Sequence, residues 1–269
     1  MSSRSAELGR VVSQADREPL RLRLARLAAR TIRTRTVQAR PHPPLVSFTF
    51  DDIPATAAER GAAILEQSGA RGTFYIAGGL VGTVEPGRRL VTAEQCGDLH
   101  RRGHEIGCHT FSHRAVSGLS RPALADDLAR NAAFLAGVAP QIAPTNFAYP
   151  FNTTSLRAKR QLERHFASCR GGVPGINTGR IDLGFLRAVE LADGYCDEAM
   201  MRGWIARTVA TRGWLIFFSH GVSEYPEPYG CHPDLLRLAV AEARAEGATI
   251  VTMREALRQV IGGNAAGTA

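Results

Sequence analysis

From Leu45 onward, short runs of β-branched and aromatic residues alternate with longer stretches of helical period. Leu45–Phe50, LVSFTF, opens the series as a buried strand. Further strands are predicted at Gly72–Ile76, Glu105–Cys108, Asn146–Tyr149, Phe166–Arg170, Phe185–Leu191, Trp214–Ser219 and Thr249–Met253. Helices are predicted between them at Ala57–Gln67, Thr92–Arg101, Arg121–Ala136, Ser155–Arg164, Asp197–Thr211 and Pro233–Ala245, with Arg254–Ile261 last. After the fifth strand, Gly171–Gly179 reads as a loop without a helix. Strand-helix alternation implies parallel strands joined by right-handed crossovers. The predicted fold is an α/β barrel of seven or eight parallel strands, distorted because ~220 residues is short for a full one. An open doubly wound sheet is the runner-up, but no G-x-G-x-x-G follows the first strand.

Ahead of the barrel the pattern changes. Leu20–Ile32 sets Leu20, Leu24, Leu27 and Thr31 near one helical face, with Arg21, Arg23, Arg26 and Arg30 around the rest. Two readings are open: a terminal helix packed on its own domain with solvated arginines, or a basic amphipathic helix on an anionic membrane or partner. Arg40–Pro44, RPHPP, is a stiff connector into the first strand.

Charge sharpens this division. Residues 1–44 hold ten arginines against three acids, which accounts for +7 of the +8 net charge of the 269-residue chain. The body is therefore nearly neutral, and a general nucleic-acid binder is not expected. Five scattered cysteines without a C-x-x-C argue against a disulfide framework or a cysteine-built zinc site. No apolar run approaches the ~18–20 residues of a membrane span, and Met1–Leu20 lacks the apolar segment of a secretory signal. A cytoplasmic protein is the expectation.

Functional groups of a parallel barrel gather at the carboxyl ends of its strands. There the chain places Asp51 and Asp52 after the first strand, His109 after the third, Tyr149-Pro150-Phe151-Asn152 after the fourth and His220 after the seventh. Adjacent acids at a strand end can point apart, one toward a cation and the other toward a proton. His109 and His113, four residues apart on a predicted helical turn, would direct both imidazoles to one side. With Asp52 as third ligand they form a two-imidazole, one-carboxylate set that leaves positions open for water and substrate. Each feature alone has a bland alternative: a solvated turn, a surface histidine pair, a core histidine. Their convergence on one barrel end outweighs those alternatives.

The order TFDD, HTFSH, FAYPF and LIFFSHG is similar to that of the polysaccharide deacetylases, the NodB-like carbohydrate esterases, over about residues 45–257. The resemblance implies a distorted barrel that removes acetyl groups from N-acetylated saccharides, using water activated at a divalent ion. Zinc leads, with cobalt or another transition metal as alternatives. It also implies Asp51 as base, Asp52, His109 and His113 as metal ligands and His220 as acid. Tyr149 and Phe151 would border the substrate and oxyanion. Two positions depart from the family pattern: Ile53 stands where Gly is usual, and no Arg precedes Pro150 to hold the base. Arg187 is the candidate substitute. The implied organisation is an Arg-rich extension over 1–44, a catalytic domain over 45–261 and a flexible tail over 262–269. Competing readings are a non-catalytic carbohydrate-binding protein on the same fold, and an amidohydrolase acting on a non-sugar C–N bond.

Overall fold

A computed structural model describes residues 20–262. The barrel strands, numbered in chain order, are β1 (Leu45–Phe50), β2 (Thr73–Ile76), β3 (Glu105–Cys108), β4 (Asn146–Ala148), β5 (Ser168–Arg170), β6 (Val189–Glu190), β7 (Trp214–Ser219) and β8 (Thr249–Ile250). All pairings among them are parallel, in the order β6-β7-β1-β2-β3-β4-β5. β8 pairs with Leu45 and Val46 of β1, on whose remaining length Thr49 and Phe50 pair with β2. The ring closes where Leu186, just ahead of β6, forms a parallel bridge to Arg170 of β5. This closure separates the fold from the open doubly wound alternative and gives the distorted barrel its seam.

Side-chain alternation along β7 explains why both faces are dry. Trp214, Ile216 and Phe218 join one apolar cluster with Leu45, Tyr75 and the helix Met253–Ile261. Leu215 and Phe217 point the other way and pack with Val46, Phe48 and Phe50 of β1 against the outer helices. Strands covered on both faces read as continuous hydrophobic runs, as LVSFTF and WLIFFS do.

The helices around the barrel are α1 (Leu20–Thr31), α2 (Ala62–Gln67), α3 (Ala93–Arg101), α4 (Arg121–Val138), α5 (Leu156–Leu162), α6 (Glu198–Thr211), α7 (Pro233–Ala245) and α8 (Met253–Ile261). α2 is entered through a π-helical turn, Ala57–Gly61. The predicted strand Thr249–Met253 is cut short because Thr252 and Glu255 form a capping box that starts α8. The predicted strand Phe185–Leu191 reduces to Val189–Glu190 plus the Leu186 bridge. The loop predicted at Gly171–Gly179 carries no helix.

Residues 1–19 of the arginine-rich segment lie outside the described residues, and the part from residue 20 on is docked on the body. Thr36–Gln38 pairs antiparallel with Arg180–Asp182, and the buried Lys159 ammonium of α5 donates to the carbonyls of Ala29 and Ile32. Arg35 donates to the carbonyls of Glu163 and Phe166. The leucine stripe is not the docking face. Ala29 is buried, whereas Leu24, Leu27 and Thr31 are exposed. The predicted tail, apart from Gly262, lies outside the described residues. All five cysteines are free and buried, and no helix among the described residues is long and apolar enough to cross a membrane.

Candidate active site

In-register pairing sets the level of the site. Ser219 pairs with Phe50, so Asp51 and His220 leave adjacent strands side by side, and the Asp51 N–H donates to the Ser219 carbonyl at 2.9 Å. Ala148 pairs with Arg170, which brings the Tyr149 loop to the same end. A cleft of roughly 630 Å³ opens there, lined by Asp51, Asp52, His109, His113, Tyr149, Phe151 and His220.

Asp52 Oδ1 lies 3.3 Å from His109 Nε2 and 2.8 Å from His113 Nε2. Despite this proximity, Oδ1 is buried and makes no hydrogen bond. Three ligand atoms that converge without satisfying one another suit a shared cation. His109 Nδ1 faces the Ala148 carbonyl at 2.9 Å, which fixes the tautomer that leaves Nε2 with its lone pair toward the site. No other group of three such side chains forms among the described residues. The donor set therefore fits a divalent metal ion. Burial alone would raise the Asp52 carboxyl, but the adjoining imidazoles override it and hold the group far below the usual carboxylate range. Burial pulls the His109 imidazole down, and the Asp52 and Asp51 carboxylates more than reverse this, leaving it raised.

The two histidines do not share a helical turn as predicted. Residues 109–113 form a loop in which Thr110 and His113 have positive φ, and buried Asp127 of α4 holds it by accepting from the Phe111 and Ser112 N–H groups. Left-handed backbone recurs around the whole site. Of eight non-glycine residues with positive φ among the described residues, five (Asp52, His113, Phe151, Asn152 and Tyr229) line the cleft, and Ile53 and Thr110 are chain neighbours of the lining residues Asp52 and His109. Each such conformation costs about 1–3 kcal/mol and persists only where packing enforces it. Ile53, at φ 56°, explains the family preference there, because glycine takes this conformation without strain.

Asp51 has a charged partner, but it is not Arg187. Arg187 donates to the Pro174 carbonyl, outside the cleft lining. Arg170, wholly buried at the end of β5, grips both Asp51 oxygens through Nη2, with its guanidinium between the rings of Tyr75 and Phe218 at 5.2 and 4.8 Å. Tyr149 borders the cleft, yet its hydroxyl donates to the Gly184 carbonyl and its N–H to the Arg170 carbonyl. Neither donor remains for an oxyanion. Phe151 lies against His113, ring centroids 4.6 Å apart.

His220 Nδ1 pairs with the Tyr229 carbonyl at 3.2 Å, and its Nε2 stands 3.9 Å from Asp52 Oδ2. Burial holds this imidazole below its usual range, although Asp51 and Asp52 pull the other way.

Arg88 and Glu190 line the cleft and, like Arg170, are not singled out by the sequence reading. Arg88, from a short ribbon between β2 and α3, donates to Asp52 Oδ2 at 3.2 Å and pairs with Glu85. Glu190 ends β6 and lines the cleft, its carboxyl pushed up to about 6 by burial and by Asp51. Glu227 and Tyr229 come from the loop after β7. Arg170 ends the predicted strand Phe166–Arg170, and Glu190 stands one residue before the end of Phe185–Leu191. Nothing in the sequence marks the Arg88 ribbon.

Residues 38–166 match the family described as polysaccharide deacetylase. The chitin deacetylase of Colletotrichum lindemuthianum is 33% identical over 78 residues, covering 29% of this chain and 30% of that protein. The chain spans only 30% and 32% of the length of two curated chitin deacetylases it matches. Among solved structures, a family 4 acetyl xylan esterase from Clostridium thermocellum in complex with a cobalt ion aligns with a TM-score of 0.56 at 23% identity, over 80% of this chain and 90% of that one. A CE4 family pseudoenzyme from Bacillus anthracis aligns equally well, TM-score 0.56 at 13% identity, over 82% of this chain and 68% of that one. The fold is thus shared by active and inactive proteins, and activity has to be argued from side chains. The motif order and the barrel agree with the polysaccharide deacetylase match over residues 38–166.

Proposed function

We propose that this protein is a metal-dependent N-deacetylase that hydrolyses the acetamide of an N-acetylated saccharide or sugar conjugate to acetate and a free amine. The observation that carries this reading is the division of labour across one cleft: Asp52, His109 and His113 converge on a cation position, while Asp51 and His220 flank it with separate partners. Asp52, His109 and His113 would hold a divalent ion, which would supply Lewis acidity for activating water and polarising the acetamide carbonyl. Asp51, oriented by Arg170, accepts the proton of the attacking water. The Phe151 backbone N–H borders the cleft and is the donor assigned to the developing oxyanion, because both Tyr149 donors are engaged elsewhere. His220 presents Nε2 to the cleft and protonates the departing nitrogen, which is too poor a leaving group as an anion. The depressed imidazole makes it a readier donor once protonated.

Arg170 also weighs against the non-catalytic alternative. A binding protein has no need to bury an arginine wholly in order to aim one carboxylate, and the absence of an Arg before Pro150 favours that alternative only slightly.

Acetate release from a panel of N-acetylated saccharides, with metal content measured on the same preparations, tests the assignment. Chelation should abolish release, and zinc or cobalt should restore it. Asp51→Asn should retain metal and lose at least ~100-fold in rate. Asp52→Asn should lose metal as well. If Asp51→Asn loses metal while Asp52→Asn retains it, the two acids are reversed. Full activity in metal-free protein would sink the mechanism.

A further inference from the structure

The outward face of α1 presents apolar side chains that the fold leaves uncovered. Leu24 is 57% exposed, Leu27 57% and Ile32 46%, all within nine residues of sequence. An amphipathic helix normally turns such residues onto its own core. This one docks through Ala29, the Arg30 guanidinium and the carbonyls taken by Lys159, and turns the leucines away.

The charge around the patch has one sign. Residues 20–44 contain seven arginines and no acid. Arg23 and Arg33 are exposed beside the leucines, and the Arg33 guanidinium is anchored on the Arg180 carbonyl. Glu163 and Asp182 are the acids beneath this segment, engaged by Thr34 and Lys159 respectively.

We propose that this face docks on an anionic lipid bilayer, with Leu24, Leu27 and Ile32 entering the headgroup–acyl boundary and the arginines meeting lipid phosphates. A protein partner fits less well. Three side chains fall far short of the ~800 Å² per partner of a stable protein interface, whereas a bilayer combines a few apolar residues with diffuse attraction to arginine. The helix also reaches the cleft: Arg30 Nη2 donates to the carbonyl of Asn152, a cleft-lining residue, at 2.9 Å. A bilayer bound at this face therefore lies near the mouth of the site.

Co-sedimentation of the full chain with phosphatidylcholine vesicles, with and without phosphatidylglycerol, tests the proposal. Binding is expected only with the anionic lipid, and should fall at least several-fold between 50 and 500 mM salt as screening shortens. Leu24→Ser/Leu27→Ser should cut the bound fraction at least tenfold while circular dichroism and thermal midpoint stay unchanged. Arg23→Ser/Arg33→Ser provides a second variant that leaves the apolar residues intact and should also weaken binding. Absence of binding to anionic vesicles at low salt would overturn the proposal, as would binding indifferent to both variants. Conversion of an oligomer to a monomer by the leucine variant, with no lipid binding, would assign the face to a second copy of the chain instead.

Discussion

Asp51 and Asp52 are adjacent and chemically identical, and their companions alone set them apart. Asp52 faces two imidazoles and Arg88, whereas Asp51 faces a guanidinium clamped between two aromatic rings. Removing Arg170 strips a buried carboxylate of its counter-charge, a change that costs about 3–5 kcal/mol for buried pairs. Arg170→Met should therefore destabilise the protein, lower deacetylation at least ~30-fold through loss of a positioned base and leave metal stoichiometry unchanged. Arg187→Met should stay within about threefold of wild type. Paired acetate assays and metal analyses would check this, and the reverse ranking would restore Arg187 as the partner. Asp51, Asp52, His109 and His220 are legible in the sequence because each stands at or just past a predicted strand's carboxyl end, and Arg170 ends the fifth predicted strand. Arg187 lies in a predicted strand that shrinks to two residues farther on, which leaves it outside the cleft. Arg88 was beyond reach, because it enters from a ribbon whose course depends on tertiary packing.

At the scale of elements, the pattern of apolar runs was a sound guide wherever both faces of a strand are buried. Leu45–Phe50, Glu105–Cys108 and Trp214–Ser219 run as predicted. It failed at the margins, where capping by Thr252 or the distorted seam decides the boundary, and it failed on α1, whose docking face is alanine rather than leucine. Helix entry and strand entry are also tied by polar pins that periodicity does not reveal. His104 accepts from the Gly72 N–H through Nδ1 at 3.0 Å and meets Glu66 Oε1 through Nε2 at 2.9 Å, joining α2, β2 and β3. Burial holds this imidazole below its usual value. The folded state therefore favours neutral His104, and its contribution is complete above the unfolded value of ~6.5 and lost as pH falls toward the lower folded value. The stability gap between wild type and His104→Asn, from parallel urea titrations, should shrink as pH falls from 8 to 5.5. A gap independent of pH would mean that His104 does not carry the effect.

As a whole molecule, the protein is a ring with unequal joints. β1 and β7 are paired along six residues, whereas β5 meets the segment ahead of β6 through the Arg170–Leu186 bridge and one further bond, from the Cys169 N–H to the Leu183 carbonyl. Amide exchange should follow that inequality: the Gly171 and Leu186 N–H groups, which cross the seam, should exchange faster than any amide between β1 and β7. Equal protection would show that the seam opens only with global unfolding. The weak joint has a further result for how the molecule fails. Arg170 belongs to the strand beside the seam and is the partner of the base, so parting the ring there misaims Asp51 while the remaining strands stay paired. In mild urea the protein should therefore fall silent before it melts, and a sample that still shows its full helical signal can already be inactive.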